Sequence, residues 1–215
     1  MSSSAVSSFL AALYLADPAA ESDTFTEVAL VDSGDHLTYQ AAWGDRRWDN
    51  LETLTIEEDE GGISDWDEIT TGFTVDYLAG SITFAVAQDP SDDFRASGKK
   101  LAMVEVADLT GLSLEGSTKM LGDASTIRDQ FEEYLPGKKN WKLSTDLWWV
   151  DGTYWEMLAA GRLVAEIFYQ YDAVTKKCLV GYAQLDGVNW SVPQDGLQTS
   201  KVTLQGSEGL IWDEN

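Results

Sequence analysis

Thirty-seven Asp and Glu side chains, a single histidine (His36) and a single cysteine (Cys178) bound the chemistry open to this 215-residue chain. So many carboxylates could hold a hard cation, or could act as general acid and base across a sugar. Cation binding needs oxygen ligands at regular spacing. The run Glu57-Glu58-Asp59-Glu60-Gly61-Gly62, continuing to Glu68, lacks the alternating acids, glycine and distal glutamate of an EF-hand loop. It reads as a solvated acidic loop, with no calcium affinity tighter than millimolar. Glycoside hydrolysis needs two acids facing across a cleft, one with a raised pKa, and sugar binding needs aromatic platforms. Of nine tryptophans, Trp43, Trp48 and Trp66 lie in polar surroundings and suit a platform, whereas Trp141, Trp149 and Trp155 sit where a core or subunit interface needs apolar area. Cys178, on a strand, reads as a small buried hydrophobe. Ser207 has no base motif near it, and Gly206-x-x-Gly209 precedes no helix that could cradle a phosphate. No catalytic or metal-ligating constellation emerges. The chain reads as a non-enzyme without a cofactor.

The elements that carry these residues are read from pattern. Hydrophobic residues make up 44% of the chain, enough to bury a real core. The net charge of −23 repels phosphate backbones and anionic lipid heads, which disfavours ordinary nucleic-acid or membrane binding. It also opposes self-association unless salt or well-placed lysines screen it. Residues 1–98 hold 20 acids and 3 bases, whereas 99–215 hold 17 acids and 11 bases. A surface adapted to high salt, as in a halophile, would explain the excess, and so would a patch lining a channel. One cysteine excludes an intrachain disulfide. The start, Met1-Ser2-Ser3-Ser4-Ala5, lacks a basic n-region, so a soluble, unsecreted protein is expected. Phe9, Leu10, Leu13 and Tyr14 fall at helical spacing and predict a short docking helix.

Strand-like alternation follows almost throughout. Strands are expected at 26–31, 37–43 and 51–56, and a hairpin at 73–77 and 82–86 with Ile82, Phe84 and Val86 on one face. Gln88 to Lys100 reads as a polar loop and the best domain boundary. Strands then run at 101–107 and from Leu112. Gly116 to Glu133 is a long polar stretch, read as an extended loop or hairpin arm, and compact domains rarely carry one without a use. A turn at Tyr134-Leu135-Pro136-Gly137 launches a strand from 141 to 149, with Trp141, Leu143, Thr145, Leu147 and Trp149 on one face. Thr153 to Glu156 fits a capping box opening a short helix over 153–160, which Gly161 stops. Strands at 163–171, 178–185 and 197–204 complete a mainly-β class with one packed helix.

Three segments carry a family resemblance. Gln130-Phe131-Glu132-Glu133-Tyr134-Leu135-Pro136-Gly137-Lys138-Lys139-Asn140-Trp141, Val180-Gly181-Tyr182-Ala183 and Thr203-Leu204-Gln205-Gly206-Ser207-Glu208-Gly209-Leu210 together resemble, in order, the back half of the major tail tube proteins of long-tailed, siphovirus-like bacterial or archaeal viruses. The likeness covers about 101–212. It implies a β-sandwich, barrel-forming tail tube domain at 99–215 and an N-terminal acidic β elaboration at 1–98, either woven into the same domain or displayed outside the tube. It further implies a ring-forming subunit, usually hexameric, whose rings stack into a tube conducting DNA from capsid to host. The implied partners are other copies of the chain, the tape measure, tail terminator and distal tail proteins, and DNA as transit cargo, with no membrane. The implied place is the virion tail, with assembly in host cytoplasm. Mapped onto this sequence, Gly116, Lys119, Asp123, Arg128 and Phe131 belong to the ring-stacking arm, and Asp146 and Glu166 face the lumen. The pairs Lys99-Lys100, Lys138-Lys139 and Lys176-Lys177 offset repulsion between subunits. An acidic lumen would let DNA slide. A secretion-type tube or baseplate component on the same fold, and a carbohydrate-binding module, are the alternatives.

Overall fold

The computed structural model describes residues 12–16, 22–106, 109–123, 134–148, 162–171, 176–191, 199–206 and 209–214. The chain is mainly β, built from curled antiparallel sheets. It divides into two compact units, one of Ala19–Met103 and the other of Met1–Pro18 with Val104–Glu214. Strand β1 (Ala12–Ala16) therefore belongs with the back half of the chain. It pairs with the strand over 162–171, Leu13 opposite Ile167, and alternates half-buried and buried residues. This overturns the helix expected at Leu13 and Tyr14. Leu13 fits both the helical spacing and the period of two it shares with Leu15, and pairing decides which is used. Phe9 and Leu10 lie outside the described residues.

The unit at 19–103 contains β2 (Asp23–Asp32), β3 (Thr38–Ala41), β4 (Thr55–Asp59), β5 (Trp66–Ile69), β6 (Phe73–Asp76), β7 (Ser81–Phe84) and β8 (Asp93–Lys100). They form one sheet in the order β5-β4-β8-β2-β3-β7-β6. Its core gathers Phe25, Leu30, Tyr39, Ile56, Ile82, Phe84, Phe94 and Ala96 around Trp48. Tyr39 packs on Phe94 with ring centroids 4.5 Å apart, and Trp48 stacks on Phe25 at 5.8 Å. Burying each large side chain contributes about 1.5–3 kcal/mol, so this sheet has a core of its own.

The polar loop expected at 88–100 ends at Asp92, because β8 lies inside the sheet, between β4 and β2, and the division between the two units falls at Met103–Val104. Phe94 and Ala96 face inward between Asp93, Arg95 and Ser97, a period-two pattern that short and polar residues disguise. The acidic stretch at 57–68 is mostly exposed, as expected, but it is a hairpin, β4 to β5, rather than a loop. Asp59 is only 3% exposed, because its carboxylate accepts the backbone N–H groups of Ile63 (3.0 Å), Ser64 (2.9 Å) and Asp65 (3.2 Å) and so fixes the turn.

The other unit adds β9 (Met103–Glu105), β10 (Leu109–Asp123), β11 (Tyr134–Trp148), β12 (Arg162–Tyr171), β13 (Lys176–Ser191), β14 (Thr199–Gly206) and β15 (Ile211–Glu214). The order is β10-β11-β14-β13-β12-β1-β9, with β15 also on β13. Leu13, Leu15, Trp141, Leu143, Ala165, Ile167, Ala183, Val202 and Leu204 make its core. The helix expected over 153–160 lies outside the described residues.

Tyr134-Leu135-Pro136-Gly137 is not a turn but the start of β11, with Met120 opposite Pro136 and Asp123 opposite Tyr134. Only the Lys142–Trp148 part of β11 also pairs with β14, so Pro136, which cannot donate a backbone hydrogen bond, sits where β11 has one neighbour.

Candidate assembly surface

Chain order along β13 explains Gly206 of the closing segment and Gly181 of β13 itself. β14 pairs with its Ala183–Ser191 half and β15 with Lys177–Val180, on the same side, leaving an interruption opposite Gly181 and Tyr182. Trp141 fills the space that results and is 4% exposed. A Cβ on Gly206 would overlap its indole ring, and a Cβ on Gly181 would stand 3.0 Å from Trp141 Cζ2 and 2.9 Å from Leu210 Cδ2. Gln205 Nε2 donates to the Trp141 carbonyl at 3.0 Å. The three segments that carry the family resemblance thus converge on one buried indole.

β10 and β11, fifteen residues each, form a long hairpin at the edge of the sheet. Gly116 is opposite Trp141, Lys119 lies within β10, and Asp123 ends it. The segment expected to be an arm is therefore a two-stranded ribbon up to Asp123 and from Tyr134. Arg128 and Phe131 lie outside the described residues.

The face of β10-β11-β14-β13 opposite the core is a polar grid. Its rows are Glu115–Lys142–Gln205–Gln184, Ser113–Ser144–Thr203–Gly187 and Gly111–Asp146–Lys201–Asn189. Asp186, in the bulge of β13, pairs with Lys142 at 3.5 Å. Glu115, Asp146 and Asp186 are thus set against Lys142 and Lys201, so the grid is close to neutral. The acid excess lies elsewhere: residues 19–103 carry 19 acids and 5 bases.

Asp146 is exposed on this grid, as its alternation on β11 predicts. Glu166 occupies the same face further along, but it is 6% exposed, its register neighbours Val164, Val180 and Tyr182 are buried too, and Cys178 Sγ donates to its Oε1 at 3.6 Å. An open-facing position for Glu166 is overturned: the face that is polar on β11 and β14 becomes apolar on β12. Cys178 is fully buried, the small-hydrophobe role expected of it.

Three of the paired lysines form ion pairs within the chain. Lys99 pairs with Glu52 at 3.2 Å, Lys100 with Asp45 at 3.0 Å, and Lys177 with Glu214 at 3.2 Å. Lys176 opens β13, and Lys138 and Lys139 lie on β11. Trp48 is a core residue, so it offers no sugar platform. Arg46 and Arg47 stand over the Trp43 ring at 5.0 and 5.3 Å, and Arg95 stands over Trp66 at 4.2 Å. One feature had no sequence signal, the network in which Arg95 binds Glu57 through two nitrogens (2.8 and 3.1 Å) and reaches Glu27 at 3.3 Å. Among the described residues no cluster of His, Cys, Asp and Glu could hold a metal ion.

No known protein family and no curated protein match the sequence. Two solved tail assemblies contain chains similar to it. One is the tail of an empty gene transfer agent particle, refined helically with C6 symmetry, at 11% identity and a TM-score of 0.44 over 52% of this chain and 86% of that one. The other is the virion of a native gene transfer agent particle, at 11% identity and a TM-score of 0.42 over 52% and 88%.

Proposed function

We propose that this chain is a virion structural protein, a tail tube subunit that closes into rings and stacks them into a conduit for DNA. The observation that carries the reading is the β10–β11 ribbon beside the polar grid. A fifteen-residue edge strand is a template for pairing with another copy, and ring closure is one way a protein removes such an edge. The grid offers a hydrophilic wall in which each charge has an opposite neighbour in the register. Such a wall presents no excess cation to hold phosphate, and it replaces the strongly acidic lumen that the overall charge suggests. The acidic unit at 19–103, with its own core, is the elaboration carried by each subunit. On this reading the chain performs no catalysis and needs no cofactor.

Deleting residues 118–139 and closing β10 onto β11 with a two-residue turn tests the ribbon's role. The shortened chain should still fold, and it should sediment as single rings or monomers under conditions in which the intact chain forms long particles. Long particles from the shortened chain would refute the assignment.

A further inference from the structure

The sheet of the 19–103 unit has an open seam. β5 and β6 are consecutive strands joined only by Thr70-Thr71-Gly72, yet they are the two opposite edges of the seven-stranded order. Ile69 on β5 and Phe73 and Val75 on β6 all pack against the same core cluster, with Phe73 5.8 Å from Phe84, so the sheet curls until its edges approach at this link. Gly72, at a φ of 92°, supplies the left-handed residue that turns the chain between them. No ladder closes the gap: β5 pairs with β4 alone and β6 with β7 alone. Among the described residues no further backbone group bonds to the outer edge of either strand.

The chemistry beside the seam is one-sided. Asp65, Asp67 and Glu68 lie on or next to β5, Glu57 and Glu58 on β4, and Asp76 ends β6. From Trp48 through Phe94 the sequence contains no Lys or Arg. The nearest cation, Arg95, is engaged by Glu57, Glu27 and the Trp66 ring. Half-buried Ile69, Phe73 and Val75 turn to the core, while exposed Glu68 on β5 and exposed Thr74 and Asp76 on β6 turn outward, and Asp67 shares the face of Ile69.

We propose that the seam is a docking site for a short extended segment of a partner protein in which Lys or Arg alternates with apolar residues. Such a segment adds a strand to the β5 edge. Its backbone satisfies the outer groups of β5, its apolar side chains cover Ile69 and Phe73 on one face, and its cations meet Glu68 on the other. A second copy is the poorer occupant, because its own β5 edge brings the same acids and like charges oppose pairing. The proposal is independent of the tail tube reading, since the seam lies wholly within the 19–103 unit.

Hydrogen exchange of the full chain, read by mass spectrometry, tests it with acetyl-Lys-Val-Lys-Val-Lys-Val-amide and its Glu counterpart as probes. The lysine peptide should slow exchange across residues 66–69 by at least about tenfold, and the glutamate peptide should not. Molar salt, or the exposed double change D67K/E68K, should remove the protection while the far-ultraviolet circular dichroism stays that of the parent. Should that variant fail to fold, the salt arm decides alone. No protection at millimolar lysine peptide, or equal protection by both peptides, overturns the proposal. Protection that rises with the chain's own concentration, without peptide, assigns the seam to a second copy and overturns it as well.

Discussion

Gly206→Ala isolates the packing on which the back half of the chain depends. The new methyl group would overlap Trp141 at Cδ1, Nε1 and Cε2, atoms of a rigid ring in a residue 4% exposed. A ring cannot yield as a flexible chain end does, so the cost falls at the upper end of overpacking, about 3 kcal/mol. Loss of glycine entropy from the unfolded chain returns about 0.4–1 kcal/mol. The net loss is about 2 kcal/mol, which for a chain of this size lowers the melting temperature by about 4–8 °C. Near-ultraviolet circular dichroism through the thermal transition measures this and reports on the indole itself. Gly116→Ala is the control, because nothing lies within 4 Å of a Cβ there, and it should be neutral or slightly stabilising. Trp141→Leu in the Gly206→Ala background should recover part of the loss, giving a coupling of about 1–2 kcal/mol in a double-mutant cycle. A Gly206→Ala variant as stable as the parent would refute the assignment of Gly206 to the Trp141 seat.

Two further predictions concern the 19–103 unit. Trp48→Ala removes the centre of its core and should cost about 3–5 kcal/mol, read as a lower urea midpoint. The pH dependence of stability has two opposed parts. Backbone N–H groups of Thr38 and Leu37 hold Asp35 below the usual carboxylate range, Ser91 does the same for Asp89 and the Arg95 guanidinium for Glu57, so their contribution is present at neutral pH and lost as pH falls through those lowered values. Burial, with Asp92 and Glu60 nearby, raises Glu58, whose contribution is instead full at low pH and lost as pH rises through its raised value. Glu58→Gln should therefore stabilise the chain in urea melts at neutral pH and converge on the parent in acid. An equal gain at all pH values would count against the charge argument.

The sequence was most legible where one face of a strand is long, apolar and strictly alternating. Trp141, Leu143 and Thr145 are buried between the less buried Lys142, Ser144 and Asp146, as their order predicts, and β12 and β14 lie close to their expected places, whereas β13 runs past its expected end at Leu185 to Ser191. Reading failed where the inward residues are small or the outward ones charged. β8 hides behind Asp93, Arg95 and Ser97, and β4 behind a run of acids of which one, Asp59, proves to be a buried turn anchor. β1 failed for a different reason, since five residues fit a helix and a strand alike until the partner β12 is known. The placement of Glu166 failed because strand parity gives a face but not whether that face stays open along the sheet. Register and curl are long-range properties, and no local pattern states that β5 and β6 end at opposite edges.

The most direct test of the conduit account is electron microscopy of the purified full chain in negative stain, at low and at molar salt. The account predicts hollow rings or stacked tubes, favoured by salt because a net charge of −23 must be screened before copies can meet, with the β10-β11-β14-β13 grid on the inner wall. A chain that stays monomeric at every salt concentration, or tubes whose inner wall is another face, would contradict it.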